Sequence, residues 1–164
     1  MIDFLAGNWG NVASLAGLVF SILAFIFSKR ASIAAREARD ATLLRSLSEE
    51  MNAANRNAGE IVTYVGMGRG DMALLRTSEL MNQTSYFMAR WDNRISEGSK
   101  NNLLSVREQL HFIHDVLTKS PVADLSPKAK TQLAQACQRV NATFSEEYGR
   151  SVKASESERG NAGR

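Results

Sequence analysis

The sequence predicts an all-α protein: one N-terminal transmembrane helix that continues into an antiparallel four-helix bundle in the cytoplasm. Three observations predict it. The run Val12–Phe27 holds sixteen residues without a charge or a proline. No proline or glycine interrupts the chain between Leu18 and Ala58. From Leu44 onward apolar residues recur at alternating steps of three and four, the spacing of helices packed on helices.

The first element is organised by Trp9–Ser28, WGNVASLAGLVFSILAFIFS. As a helix rising about 1.5 Å per residue it spans roughly 30 Å, the hydrocarbon thickness of a bilayer. Trp9 suits one interface, and Lys29 with Arg30 begins a basic run at the other. A cleaved signal peptide carries its positive charges before the apolar core. Here residues 1–8, MIDFLAGN, carry only Asp3, and the basic residues follow the core. A core helix of a soluble protein would need one apolar face, whereas LVFSILAFIF is bulky on every side. The charge order therefore predicts a retained single-pass anchor in a bacterial inner (plasma) membrane. Residues 1–8 form a short external N-terminus, 9–28 the span, and everything after it is cytoplasmic.

Residues 29–43 read as a basic, alanine-rich helical stalk. From 29 to 45, five basic residues face two acidic ones, and no other segment concentrates positive charge in this way. Lys29, Arg30, Arg36 and Arg39 form a run placed against anionic headgroups, each basic residue contributing about 1 kcal/mol near the surface. A nucleic-acid-binding protein would gather its charge within the folded domain, so the pI near 9.2 does not imply a nucleic-acid partner.

Along the same helix runs a stripe of small residues: Ala13, Gly17, Ser21, Ala24 and Ser28 in the membrane, then Ala31, Ala35, Ala38 and Thr42. Small residues four apart let two backbones approach, and in lipid that contact drives helix association. The membrane half is the predicted packing seam, with a second copy or another membrane subunit as partner. In the stalk, helix propensity explains the alanines equally well. Fourteen of the thirty-one residues from Val12 to Thr42 are Ala, Gly, Ser or Thr, so a track of small residues also arises by composition alone.

Residues 44–155 are the predicted bundle. Leu44, Leu47, Met51, Ala54, Ala58, Ile61 and Val65 make the inner seam of the first helix, which runs from about Trp9 to Val65. Gly66–Gly70, GMGRG, turns the chain, with Asp71 as a candidate N-cap. It is no phosphate-binding loop, since no Gly-Lys-Ser/Thr follows and no strand precedes. The second helix is expected over Met72–Ile95, with Leu74, Met81, Met88 and Trp91 on one stripe and Leu80 and Phe87 beside it. Gly98 closes it. The third, over Lys100–Lys119, repeats Leu103, Val106, Leu110, Ile113 and Leu117 and stops at Ser120-Pro121. Ser126-Pro127 opens the fourth as N-cap and first helical residue, and Leu133, Cys137, Val140, Phe144, Tyr148 and Val152 line it. The tail 156–164 has one apolar residue, Ala162, and is expected to be disordered.

No set of residues converges on a reaction. Glu108 and His111 have the Glu-x-x-His spacing of di-iron bundles, but such a site needs that pair twice, and it occurs once. Cys137 falls on a core position, where a small buried hydrophobe is the default. Glu49-Glu50 and Glu146-Glu147 are adjacent in sequence, and adjacent helical residues do not face each other. Arg69, Arg76, Arg90 and Arg94 would make an anion-binding face on the second helix if Glu79 and Asp92 did not interrupt it. One cysteine excludes an internal disulfide framework.

The composition thus predicts no catalytic, metal or cofactor site, and the chain identifies no small-molecule ligand. Its expected partners are membrane lipid and either copies of itself or a larger membrane complex. The expected function is a non-enzymatic single-pass membrane protein, a structural or regulatory subunit assembled through its transmembrane helix. The alternative is a membrane-perturbing effector, of the kind found in bacterial defence or stress systems, triggered by a ligand or partner on the bundle. An enzyme with a site between helices is the weakest of the three readings.

Overall fold

In the computed structural model, the backbone is described for residues 2–162 and the side chains for residues 14–157. Four α-helices and one short 3-10 turn account for nearly all of it, and no strand occurs among the described residues. They are α1 (Ile2–Gly66), α2 (Gly70–Trp91), α3 (Glu97–Lys119), a 3-10 turn (Val122–Asp124) and α4 (Pro127–Ala162). The chain divides into two compact units, residues 1–42 and residues 43–164.

Each helix end has a local cause. Gly68, at φ 73°, is the one non-helical, left-handed residue described. The Arg69 amide donates to the Tyr64 carbonyl at 2.9 Å and the Gly68 amide to Val65 at 3.1 Å, the two bonds of a Schellman ending. The Arg69 guanidinium then lies 5.8 Å from the centre of the Tyr64 ring, so the side chains flanking the turn also meet. Gly70 lets the 3-10 turn come close: a Cβ there would sit 3.1 Å from Val122 Cγ2. Ser96 caps α3 by accepting the Ser99 amide at 3.1 Å. Ser126 caps α4 by accepting the Ala129 amide at 3.2 Å, and Pro127 is its first residue.

Several boundaries differ from the sequence expectation. Helix α1 begins at Ile2 rather than near Trp9, because nothing in residues 2–8 forbids helix. Asp71 is not the cap of α2. That helix starts two residues earlier than expected, at Gly70, with Arg69 in the cap position and Asp71 in its first turn. Gly98 does not close α2, which ends at Trp91; it lies instead in the first turn of α3. Helix α4 continues through Ala162, where composition predicted a disordered tail. A polar composition removes packing, but Ser and Glu do not by themselves break a helix.

The bundle core is built from one stripe per helix. Helix α1 buries Leu47, Met51, Ala54, Ala58 and Ile61, α3 buries Leu103, Val106, Leu110, Ile113 and Leu117, and α4 buries Leu133, Ala136, Cys137, Val140 and Phe144. The stripe of α2 is rotated from the expected one. Ala73, Thr77, Leu80, Thr84, Phe87 and Trp91 are buried, while Leu74, Met81 and Met88 pack on its flank. Thr77 and Thr84 can sit inside because their hydroxyls donate to the Ala73 and Leu80 carbonyls, each at 2.7 Å.

The close backbone approaches are those of α2 with α3 and of α3 with α4. Helix α1 reaches its neighbours through side chains. Glu50 accepts from Arg90 at 2.5 Å and from the Trp91 indole at 2.8 Å. Asn57 donates to Gln83 at 2.8 Å, and Arg76 Nε lies 2.7 Å from Glu60 without the alignment of a hydrogen bond. As the α1 partner rises from residue 50 to 60, its α2 partner falls from 91 to 76. Toward α4, Ser145 donates to Asn55 at 2.8 Å, and Asn141 lies against Gly59.

Candidate functional site

The first unit turns its apolar residues outward. Leu15, Leu18, Val19, Phe20, Ile22, Leu23, Phe25, Ile26 and Phe27 are all exposed, with Phe20 and Phe25 each at 71%. Among the described residues, α1 is the one helix long and apolar enough to cross a membrane. The interface role expected of Trp9 falls outside the described side chains, as does Ala13 of the seam.

The other seam residues are exposed on one side of α1. At about 100° per residue, Gly17, Ser21, Ala24 and Ser28 fall within an arc of roughly 60°, flanked by Phe20 on one edge and Phe25 on the other. The Ser21 hydroxyl donates to the Gly17 carbonyl at 2.8 Å. It is therefore satisfied within its own helix and does not carry an unpaired donor into an apolar medium. A Cβ added at Gly17 would meet nothing within 4 Å. Glycine inside a helix costs about 1 kcal/mol relative to alanine, and no contact within this chain requires it here.

Lys29, Arg30, Arg36 and Arg39 are also exposed. At about 100° per residue Lys29, Arg36 and Arg39 fall within an arc of roughly 80° and Arg30 about 100° from Lys29, so the four cover one half of α1. Farther along, the Thr42 hydroxyl is held by the Ala38 carbonyl at 2.8 Å.

In the second unit the candidate chemical groups do not come together. Glu108 and His111 are both exposed on α3, and no cluster of three or more His, Cys, Asp or Glu side chains occurs among the described residues. Burial pushes the Cys137 thiol up to about 12, the opposite of an activated thiolate. The arginines of α2 do not form a common anion face. Arg76 sits between Glu79 at 2.6 Å and Glu60, and Arg90 pairs with Glu50 over the faces of Tyr86 and Trp91. The guanidinium of Arg76 is held above its ordinary value, first by the hydrogen bond to Glu79 and then by the charge of Glu60.

Two polar contacts escaped sequence reasoning. The Glu50–Arg90–Trp91 cluster joins residues about forty positions apart, and no periodic pattern signals it. Glu147, only 4% exposed, accepts from Asn102 at 2.7 Å and from Arg150 at 2.9 Å, so the carboxylate enters the core already paired. Its neighbour Glu146 stays outside and shares Arg150. No protein-family model, curated protein or solved structure matches the chain.

Proposed function

We propose that this chain is a non-enzymatic, single-pass membrane protein. Residues 9–28 cross the bilayer with the N-terminus outside. Residues 29–43 bring the basic run to the cytoplasmic headgroups, and the bundle serves there as a structural or regulatory subunit.

One observation carries this reading: nine large apolar side chains of α1 have no cover. Leaving a side chain of that kind in water instead of burying it costs about 1.5–3 kcal/mol. Together they cost on the order of 10 kcal/mol or more, comparable with the whole stability of a domain. Lipid removes that cost. The falling partner numbers between α1 and α2 support an antiparallel bundle, in keeping with the short turns that join its helices.

Association is assigned to the seam Ala13, Gly17, Ser21, Ala24 and Ser28, for which Gly17 is the strongest support. An Ala24→Cys chain, oxidised in membranes, should form disulfide-linked dimers; the buried Cys137 is not expected to compete. Adding Gly17→Leu should remove those dimers while leaving the bundle's melting unchanged. Dimers that persist in the Gly17→Leu chain would rule out the seam.

The second reading, a membrane-perturbing effector triggered on the bundle, draws on an open cleft at the far end of α1, since a trigger needs a place to bind. Induction with the trigger present should then depolarise cells. Equal toxicity from a chain lacking residues 1–28 would exclude it.

A further inference from the structure

The second unit contains a half-open cleft of about 440 Å³, where the end of α1, the 3-10 turn and α4 diverge. Two further cavities bordered by described residues of α1 are about 260 and 180 Å³. The volume of the first falls within the roughly 300–1,000 Å³ typical of small-molecule sites.

Its walls are apolar: Val62 and Val65 from α1, Val122 from the turn, and Leu133 from α4. Gly66, Gly68, Ala123 and Ala134 also border it, and a Cβ at either glycine would meet nothing within 4 Å. The space exists because the residues around the turn are small. One cation stands at the rim. Lys130 Nζ donates to the Ala123 carbonyl at 2.9 Å and, among the described residues, pairs with no carboxylate. Asp124, close to it in sequence, forms no ion pair with it. Lys130 is exposed, and its two remaining N–H donors are open to a ligand at the cleft mouth.

We infer that this cleft binds a medium-chain carboxylate, with the alkyl chain against Val62, Val65 and Leu133 and the carboxylate on Lys130. A cavity of about 150 Å³ accommodates benzene. By that scale about 440 Å³ corresponds to about eighteen non-hydrogen atoms, so the twelve of a ten-carbon acid fit with the open side left to water. The apolar walls alone would take a neutral chain, and the lone ammonium selects the anion. This inference does not rest on the membrane reading.

The test uses the full chain in lipid nanodiscs with a diazirine-bearing decanoic acid, the label being mapped to peptides. Label in residues 14–28 reports partition into lipid and serves as an internal reference. The inference predicts label on peptides carrying Val62–Val65 and Leu133–Gln138 that excess unlabelled decanoate displaces. Lys130→Gln should lower cleft labelling about tenfold relative to the reference, the loss of one charged hydrogen bond, while Lys130→Arg retains it. Ala134→Phe should fill the space and abolish cleft label for the acid and for the matching alcohol alike. Thermal melting confirms that each variant is folded. Cleft label that decanoate does not displace, label confined to residues 14–28, or wild-type cleft labelling in Lys130→Gln would overturn the inference. A chain that proved soluble would lose only the reference label, so failure of the membrane reading shows separately.

Discussion

Residues 14–42 and residues 43–164 use much the same apolar vocabulary and sort it in opposite directions. Phe25 is 71% exposed, whereas Phe144 is 1% exposed and surrounded by side chains of the bundle. In the second unit hydroxyls and carboxylates are taken inside only with partners, as at Thr77, Thr84 and Glu147. In the first unit the large apolar groups have no protein partner, and the one polar seam residue with a described hydrogen bond, Ser21, is satisfied by its own backbone. One unit buries its large apolar side chains, and the other leaves them exposed, which is the pattern the proposed membrane span requires.

Paired substitutions sharpen that contrast. Phe144→Ala should cost the bundle about 3–5 kcal/mol, read by denaturant unfolding, because it removes a ring and leaves a cavity. Phe25→Ala should leave bundle stability unchanged. The converse is Phe25→Arg, which should disfavour membrane insertion by about 2.5–3.5 kcal/mol without altering the bundle's melting. A bundle that melts earlier in Phe25→Arg would mean that the first unit is packed against protein.

Smaller effects probe the second unit alone. Glu50→Ala should cost about 1–3 kcal/mol, since it leaves the buried Trp91 indole N–H without an acceptor and Arg90 without its partner. The pH profile is set in part by Cys137. An unfolded chain ionises this thiol near the ordinary 9.0, whereas the folded chain holds its proton to about 12. Between those values the unfolded state is the one losing protons, so stability falls as pH rises, by at most about 1.4 kcal/mol per pH unit. Cys137→Ala should flatten that alkaline slope in urea titrations. At the small end, Gly68→Ala forces an L residue into the left-handed region and should cost about 1–2 kcal/mol by the same measurement.

The unequal legibility of the two units has a physical basis. A long apolar segment signals itself by what it lacks, and Val12–Phe27 has no charge to obscure it. The core stripes of α1, α3 and α4 were readable because their inward positions are almost all apolar. In α2, Thr77 and Thr84 stand on the inner stripe, so hydropathy alone pointed to Leu74, Met81 and Met88, which pack beside the core. Threonine reads as polar until its hydroxyl is seen to bond its own helix. The Ser126-Pro127 start was legible because cap and ring are local chemistry. The Asp71 cap was misread because Gly70 was already helical. Contacts such as Glu50 with Arg90 depend on register between helices, which a linear pattern does not carry. The same holds for the seam: its residues share an arc of one helix, and what lies opposite that arc is a property of the assembled protein.

The most direct measurement is extraction of the full chain from washed cell membranes with alkaline carbonate, followed by sedimentation. A bilayer-spanning α1 keeps the protein in the membrane pellet. Quantitative recovery in the supernatant, folded and free of lipid, would contradict it.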